Sequence, residues 1–168
     1  HANFKGDIES GLCKMLVIGM GKREGAALLH SKGYDVFPAK LAQISHRILL
    51  KANVLFAVGI VENSYDTPMI AEVIPKNQII ERERELLTIA KKNIPSIQAE
   101  QVDVLIVDEI GKNISGQGMD PNVTGRTGSP VKEGFNQSFV DKITVLRLTQ
   151  QTHGNFIGLG MADISTID

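Results

Sequence analysis

The chain has 168 residues, 42% apolar and 22% charged, with 18 Lys and Arg against 19 Asp and Glu for a net charge of -1. That length suits one globular domain with its own core, and the charge balance leaves no electrostatic footprint for nucleic acid or an anionic membrane. A single cysteine excludes both an internal disulfide framework and a Cys-rich zinc site. The longest apolar run, residues 54–61, is far short of the ~20 residues that cross a bilayer. No charged-then-apolar signal segment opens the chain, so the expected location is the cytoplasm. The sequons at Asn113, Asn122 and Asn136 then carry no meaning. The opening at His1 rather than Met reads as a fragment of something longer.

In chain order, residues 15–19 (Met-Leu-Val-Ile-Gly) form a short apolar run that predicts a buried strand. Residues 21–30 have helical propensity, with Gly33 as the stop. Phe37, Leu41, Ile44 and Ile48 make one apolar stripe of a second helix, and Pro38 suits its first turn. Residues 54–61 read as a central strand. A turn at 63–66 leads to a further strand at 69–74, stopped by Pro75 and capable of antiparallel pairing. Residues 79–93 predict the longest helix, with Ile80, Leu87, Ala90 and Ile94 inward and Pro95 ending it. A buried strand at 102–108 and a further strand at 143–148 follow. The alternation predicts an α/β domain over 1–168: a mostly parallel sheet flanked by helices, with one antiparallel strand possible. Residues 110–136 hold Gly111, Gly116, Gly118, Gly125, Gly128 and Gly134. So long an irregular, glycine-rich stretch is the signature of a binding or active-site loop.

Several residues could carry chemistry. Gly19-Met-Gly21-Lys-Arg-Glu-Gly25 falls at the expected strand-to-helix junction, yet its third glycine is one place late for a dinucleotide fingerprint. It reads as a tight turn, with backbone amides that could still hold a phosphate. Glu81-Arg-Glu-Arg-Glu85 reads as a solvated helix face. Cys13 reads as a small buried residue, and His46 as a surface histidine. His153 lies in a polar loop after the last strand. Taken alone, His30 would stabilise a helix C-terminus, and Lys14 would snorkel beside its apolar run.

The spacing that joins Lys14 and His30 changes that reading. The run Glu9-Ser-Gly-Leu-Cys-Lys14-Met, with His30 sixteen residues after Lys14, resembles the nickel-dependent lactate racemase family. In its terms, His1-Ala-Asn-Phe4 matches the segment that carries a catalytic histidine. Lys14 matches the lysine bonded covalently to the nickel pincer nucleotide, and His30 the histidine that ligates nickel. Gly111-Lys-Asn-Ile-Ser-Gly-Gln-Gly-Met-Asp120-Pro-Asn122-Val-Thr-Gly-Arg126 looks like the family's Gly-rich loop, which implies substrate contacts from Lys112, Asp120 and Asn122. The resemblance is closest to a branch of unassigned substrate and covers nearly the whole chain. Two departures stand out: His1 lies thirteen residues before Lys14, a few more than in the lactate enzymes, and Thr124 and Gly125 replace a Tyr-Gln pair. Arg126, next in line, has the fork that takes a carboxylate bidentately.

The resemblance implies the carboxy-terminal lobe of a larger two-lobe isomerase, a racemase or epimerase of a 2-hydroxy acid or sugar acid. The implied reaction withdraws hydrogen from C2 as hydride while His1 takes the hydroxyl proton, and then returns it to either face. Neutral imidazole at His30 is an ordinary nickel ligand. Lys14 must be unprotonated to bond the cofactor, so a partly buried lysine with a lowered pKa is expected. The amino-terminal lobe and the second base are missing, so this chain alone is expected to be inactive and to lack nickel. Asp120, Asn122 and Lys112 either touch substrate or shape the loop through Asx turns. The competing reading is a non-catalytic nucleotide-binding α/β module that uses the Gly19–Gly25 turn.

Overall fold

The computed structural model describes residues 4–116, 118–126 and 139–166. The chain divides into two compact units, Ala2–Ile94 and Pro95–Asp168.

The first unit is mainly helical. Helix α1 (Leu12–Lys14) runs into a π-helical turn, Met15–Gly19, where the Met20 amide reaches back to the Met15 carbonyl at 2.8 Å. Residues 15–19 are therefore helix, not the strand expected. A five-residue apolar run has no period of its own to separate a buried strand from a buried helical turn. Helices α2 (Lys22–His30) and α3 (Phe37–Lys51) follow. On α3 the fully inward positions are Phe37, Leu41, Ser45 and Leu49, with Ile44 and Ile48 on the flank. Strands β1 (Phe56–Glu62) and β2 (Pro68–Pro75) then pair antiparallel as a two-stranded sheet. Helix α4 (Ile79–Lys92) packs across β1.

Two buried clusters hold this unit. Phe4, Ile8, Cys13, Val17, Leu29, Phe37 and Leu41 form one, and Leu49, Val61, Ile74, Ile79 and Leu86 the other. Residues 54–61 are not the central strand their composition suggests. Gly59 and Val61 turn inward, while Phe56, Val58 and Ile60 are exposed, so an all-apolar strand here covers one face only.

The second unit carries a three-stranded parallel sheet in the order β3-β4-β5: Gln101–Ile110, Phe139–Leu148 and Ile164–Ser165. Ile110, Val140, Ile143 and Val145 make its buried core. Strand β3, expected to be buried, lies at the sheet edge with Val104 and Ile106 exposed. Between β3 and β4 the described residues of the glycine-rich stretch contain two short helices, α5 (Lys112–Ser115) and α6 (Pro121–Thr124). Gly128, Gly134 and the rest of 127–138 lie outside the described residues. The fold is thus mixed α/β, with its strands divided between an antiparallel pair and a parallel trio instead of one mostly parallel sheet. Among the described residues no helix is long and apolar enough to cross a membrane.

Candidate functional site

Lys14 closes α1, directly before the π-helical turn, an insertion found often at functional sites. Its neighbour Cys13 is fully buried and anchors the helix in the core. Lys14 itself is half-buried and has no ion-pair partner among the described residues. Burial therefore acts on the ammonium without compensation and lowers its pKa from the ordinary lysine value.

His30 is the last residue of α2 and is exposed. Its Nδ1 lies 2.7 Å from the Ala26 carbonyl oxygen. A carbonyl can only accept, so in the neutral ring Nδ1 carries the proton and Nε2 presents its lone pair outward. The ring is also clamped edge-on by Tyr34 and Phe37, at centroid distances of 5.9 and 5.1 Å. Fixing one nitrogen on a backbone carbonyl is how metal-binding histidines hold their tautomer and orientation. Leu29 and Cys13, the residues before His30 and Lys14, pack in the same apolar cluster. Each candidate thus follows a buried residue of the same apolar cluster.

The Gly19–Gly25 segment is not a strand-to-helix turn, because helix precedes it. A Cβ on Gly21 would lie 2.2 Å from the Val17 carbonyl oxygen. The glycine is there so that two helical segments can meet at a sharp corner.

In the second unit, Asp120 caps α6. Its Oδ1 accepts from the Asn122 backbone amide and from Asn122 Nδ2, both at 2.8 Å, and Asn122 is buried. The pair shapes the loop as an Asx turn. Thr124 Oγ1 accepts the Arg126 amide at 3.3 Å. The Arg126 guanidinium is heavily engaged: it donates to the Met161 and Val140 carbonyls at 3.1 and 3.2 Å, bonds the Asp141 carbonyl, and pairs with Asp163. The Ile143 amide and then Arg126 hold the Asp163 carboxyl below its usual range. The fork expected to take a substrate carboxylate is therefore occupied by the chain's own oxygens. The Lys112 amide donates to Thr152 Oγ1 at 2.7 Å, while its side chain is exposed. His1 lies outside the described residues. His46 and His153 are exposed.

No family model, curated protein or solved structure matches the chain.

The sequence reading missed Glu83. Instead of standing on a solvated face it is buried, 3% exposed, and its Oε2 accepts the Cys13 amide at 2.7 Å. Burial is the main cause that raises its pKa. Burial, and then the adjoining Glu83 carboxyl, push the Cys13 thiol up to about 12, so this cysteine is no nucleophile. The signal was present in the spacing. Glu83 stands four residues after Ile79 and three before Leu86, on the inward stripe of α4.

Proposed function

We propose that this chain is the lysine- and histidine-bearing part of a nickel-pincer-nucleotide-dependent racemase or epimerase of a 2-hydroxy acid or sugar acid. One observation carries the reading. A half-buried lysine with a lowered pKa and no ion-pair partner among the described residues, and a histidine whose Nδ1 is fixed by a backbone carbonyl, each follow a residue of the same apolar cluster. A lowered pKa raises the share of free amine, the form that makes a covalent bond. A single fixed imidazole is all that a metal already held by a pincer ligand asks of the protein. The described residues contain no group of three or more His, Cys, Asp or Glu side chains that could hold a metal by themselves.

In this reading Lys14 tethers the cofactor and His30 Nε2 ligates nickel. When bound, the cofactor supplies the acceptor for the hydrogen that leaves C2 with its electron pair. His1 takes the substrate hydroxyl proton. Asp120 and Asn122 shape their own loop as an Asx turn, and the resemblance gives Lys112 a substrate contact. Arg126 supports that loop from behind as a positioning residue, its donors being committed to backbone and Asp163. For the competing nucleotide-binding module, the glycine segment follows a helical turn instead of a strand, with α2 beginning behind it at Lys22.

The test is to make the full-length protein together with the enzymes that build the cofactor, and to measure intact mass and nickel. The expected result is a covalent mass gain with bound nickel. Lys14→Ala should abolish the mass gain, and His30→Ala should keep it while losing the metal. A wild-type protein without the adduct, or an adduct that survives Lys14→Ala, would sink the proposal.

A further inference from the structure

Helix α1 is three residues long, too short to hold itself, because a first helical turn fixes its backbone for little hydrogen bonding in return. Its N-cap is Gly11, which has no side chain to serve the first amides. Two other helices supply what is missing. From α4, seventy residues on, Glu83 Oε2 accepts the Cys13 amide at 2.7 Å. From α3, Ser45 Oγ donates to the Cys13 carbonyl at 3.3 Å. That carbonyl belongs to the peptide bond that leads to Lys14. Glu83, Ser45 and Cys13 are all buried, so water does not compete for either bond. Gly11 makes room for the carboxyl: a Cβ there would lie 3.0 Å from Glu83 Oε1, and its φ of +109° suits glycine.

Stability does not explain the choice of a carboxyl. Glu83 lies on the inward stripe of α4 with Ile79 and Leu86, and its Oε1 is buried with no hydrogen-bond partner among the described residues. An ionisable group so placed costs free energy that an apolar side chain would not. What it contributes is a fixed backbone. We propose that Glu83 and Ser45 are positioning residues for Lys14, gripping Cys13 at its N–H and C=O from two helices so that the lysine leaves α1 from one place. The inference rests on the reading of Lys14 as the cofactor tether. An amine on a flexible four-carbon stem gains from a fixed base, since a misplacement of about 1 Å can cost ~100-fold in rate.

The test reads Lys14 in the 168-residue chain without cofactor, by NMR titration of its ¹³C-methylated side chain. Glu83→Gln, which keeps an acceptor for the amide, is expected to leave the midpoint where the wild type has it, below the ordinary 10.5. Glu83→Leu, which keeps an apolar filling but not the bond, should raise the midpoint toward 10.5, and so should Ser45→Ala. Loss of a carboxylate alone would move it the other way, so a rise separates the grip from the charge. In the full-length protein made with the cofactor's enzymes, the mass gain should form about ten-fold more slowly in Glu83→Leu and at the wild-type rate in Glu83→Gln. A folded Glu83→Leu with the wild-type midpoint, or a Glu83→Gln that rises with it, would overturn the proposal. If Glu83→Leu does not fold, Ser45→Ala decides, and an unmoved midpoint there rejects the grip. A wild-type full-length protein with no mass gain overturns the tether reading instead; the titration, which needs no cofactor, still accepts or rejects the grip.

Discussion

At the scale of single residues, two charged side chains have roles opposite to those their sequence context suggests. Glu83 sits in a run of alternating charge yet is buried, and its raised pKa has a consequence for stability. A carboxyl whose folded pKa lies above its unfolded one binds its proton more tightly in the folded state. Its contribution is therefore complete below the unfolded value, 4.5 in the ordinary carboxyl, and is lost as pH rises through the folded value. Glu83→Gln keeps an acceptor for the Cys13 amide and never ionises. Thermal melts between about pH 4 and pH 8 should show Glu83→Gln gaining on the wild type as pH rises, with little difference at the acid end. A constant offset across that range would mean that Glu83 does not titrate there. Arg126 is the converse case, a loop cation that reads as a substrate fork but is saturated by chain oxygens. Lysine cannot span the Val140 and Met161 carbonyls together, so Arg126→Lys should lower stability by about 1–2 kcal/mol. Denaturant midpoints measure this. An unchanged midpoint would show that these bonds do not hold the loop and would return Arg126 to the proposed substrate contact.

At the scale of elements, what was legible followed the length of the pattern. Helices α3 and α4 were legible as helices from a stripe repeated over several turns, although α4 turns Ile79, Glu83 and Leu86 fully inward and leaves the expected Ile80, Leu87, Ala90 and Ile94 half-buried. The β1–β2 pair was visible from two apolar runs joined by a polar turn. The run at residues 15–19 was too short to carry a period, and the wrong element there made the Gly19–Gly25 segment look like a phosphate turn. Lys14 and His30 are proposed from their spacing, and nothing in the letters could disclose that the Ala26 carbonyl fixes the His30 tautomer. Glu83 was hidden by its charged neighbours, because a run of charge draws attention away from the position each residue takes around the helix. The helix corner itself is testable. Gly21 has an ordinary φ of -68°, so alanine there is not strained by its backbone. It fails only by contact, its Cβ 2.2 Å from the Val17 carbonyl oxygen, a backbone atom that cannot step aside alone. Gly21→Ala should cost roughly 2–4 kcal/mol, read from chemical denaturation. Native stability with a selective loss of nucleotide binding would instead restore the phosphate-turn reading.

At the scale of the whole molecule, the division into two compact units separates the residues assigned to the cofactor from those assigned to the loop. Lys14, His30, the helices that hold them and both apolar clusters belong to Ala2–Ile94. Lys112, Asp120, Asn122 and Arg126 belong to Pro95–Asp168. A unit of that length has its own core to bury. The antiparallel sheet completes within it, since β1 and β2 pair with each other, and α4 covers the inward face of that pair. Nothing in either cluster draws on a residue after Ala90. The segment 2–94, expressed by itself, should therefore unfold in one cooperative denaturant transition with dispersed amide resonances. It should also keep the lowered pKa of Lys14, because the burial that causes it is local to α1 and its neighbours. Titration of the ¹³C-methylated lysine by NMR reads this directly, with the midpoint expected below the ordinary 10.5. A molten fragment would show that the second unit supplies part of the fold. A folded fragment with an ordinary Lys14 midpoint would remove the physical basis for assigning the cofactor tether to this unit.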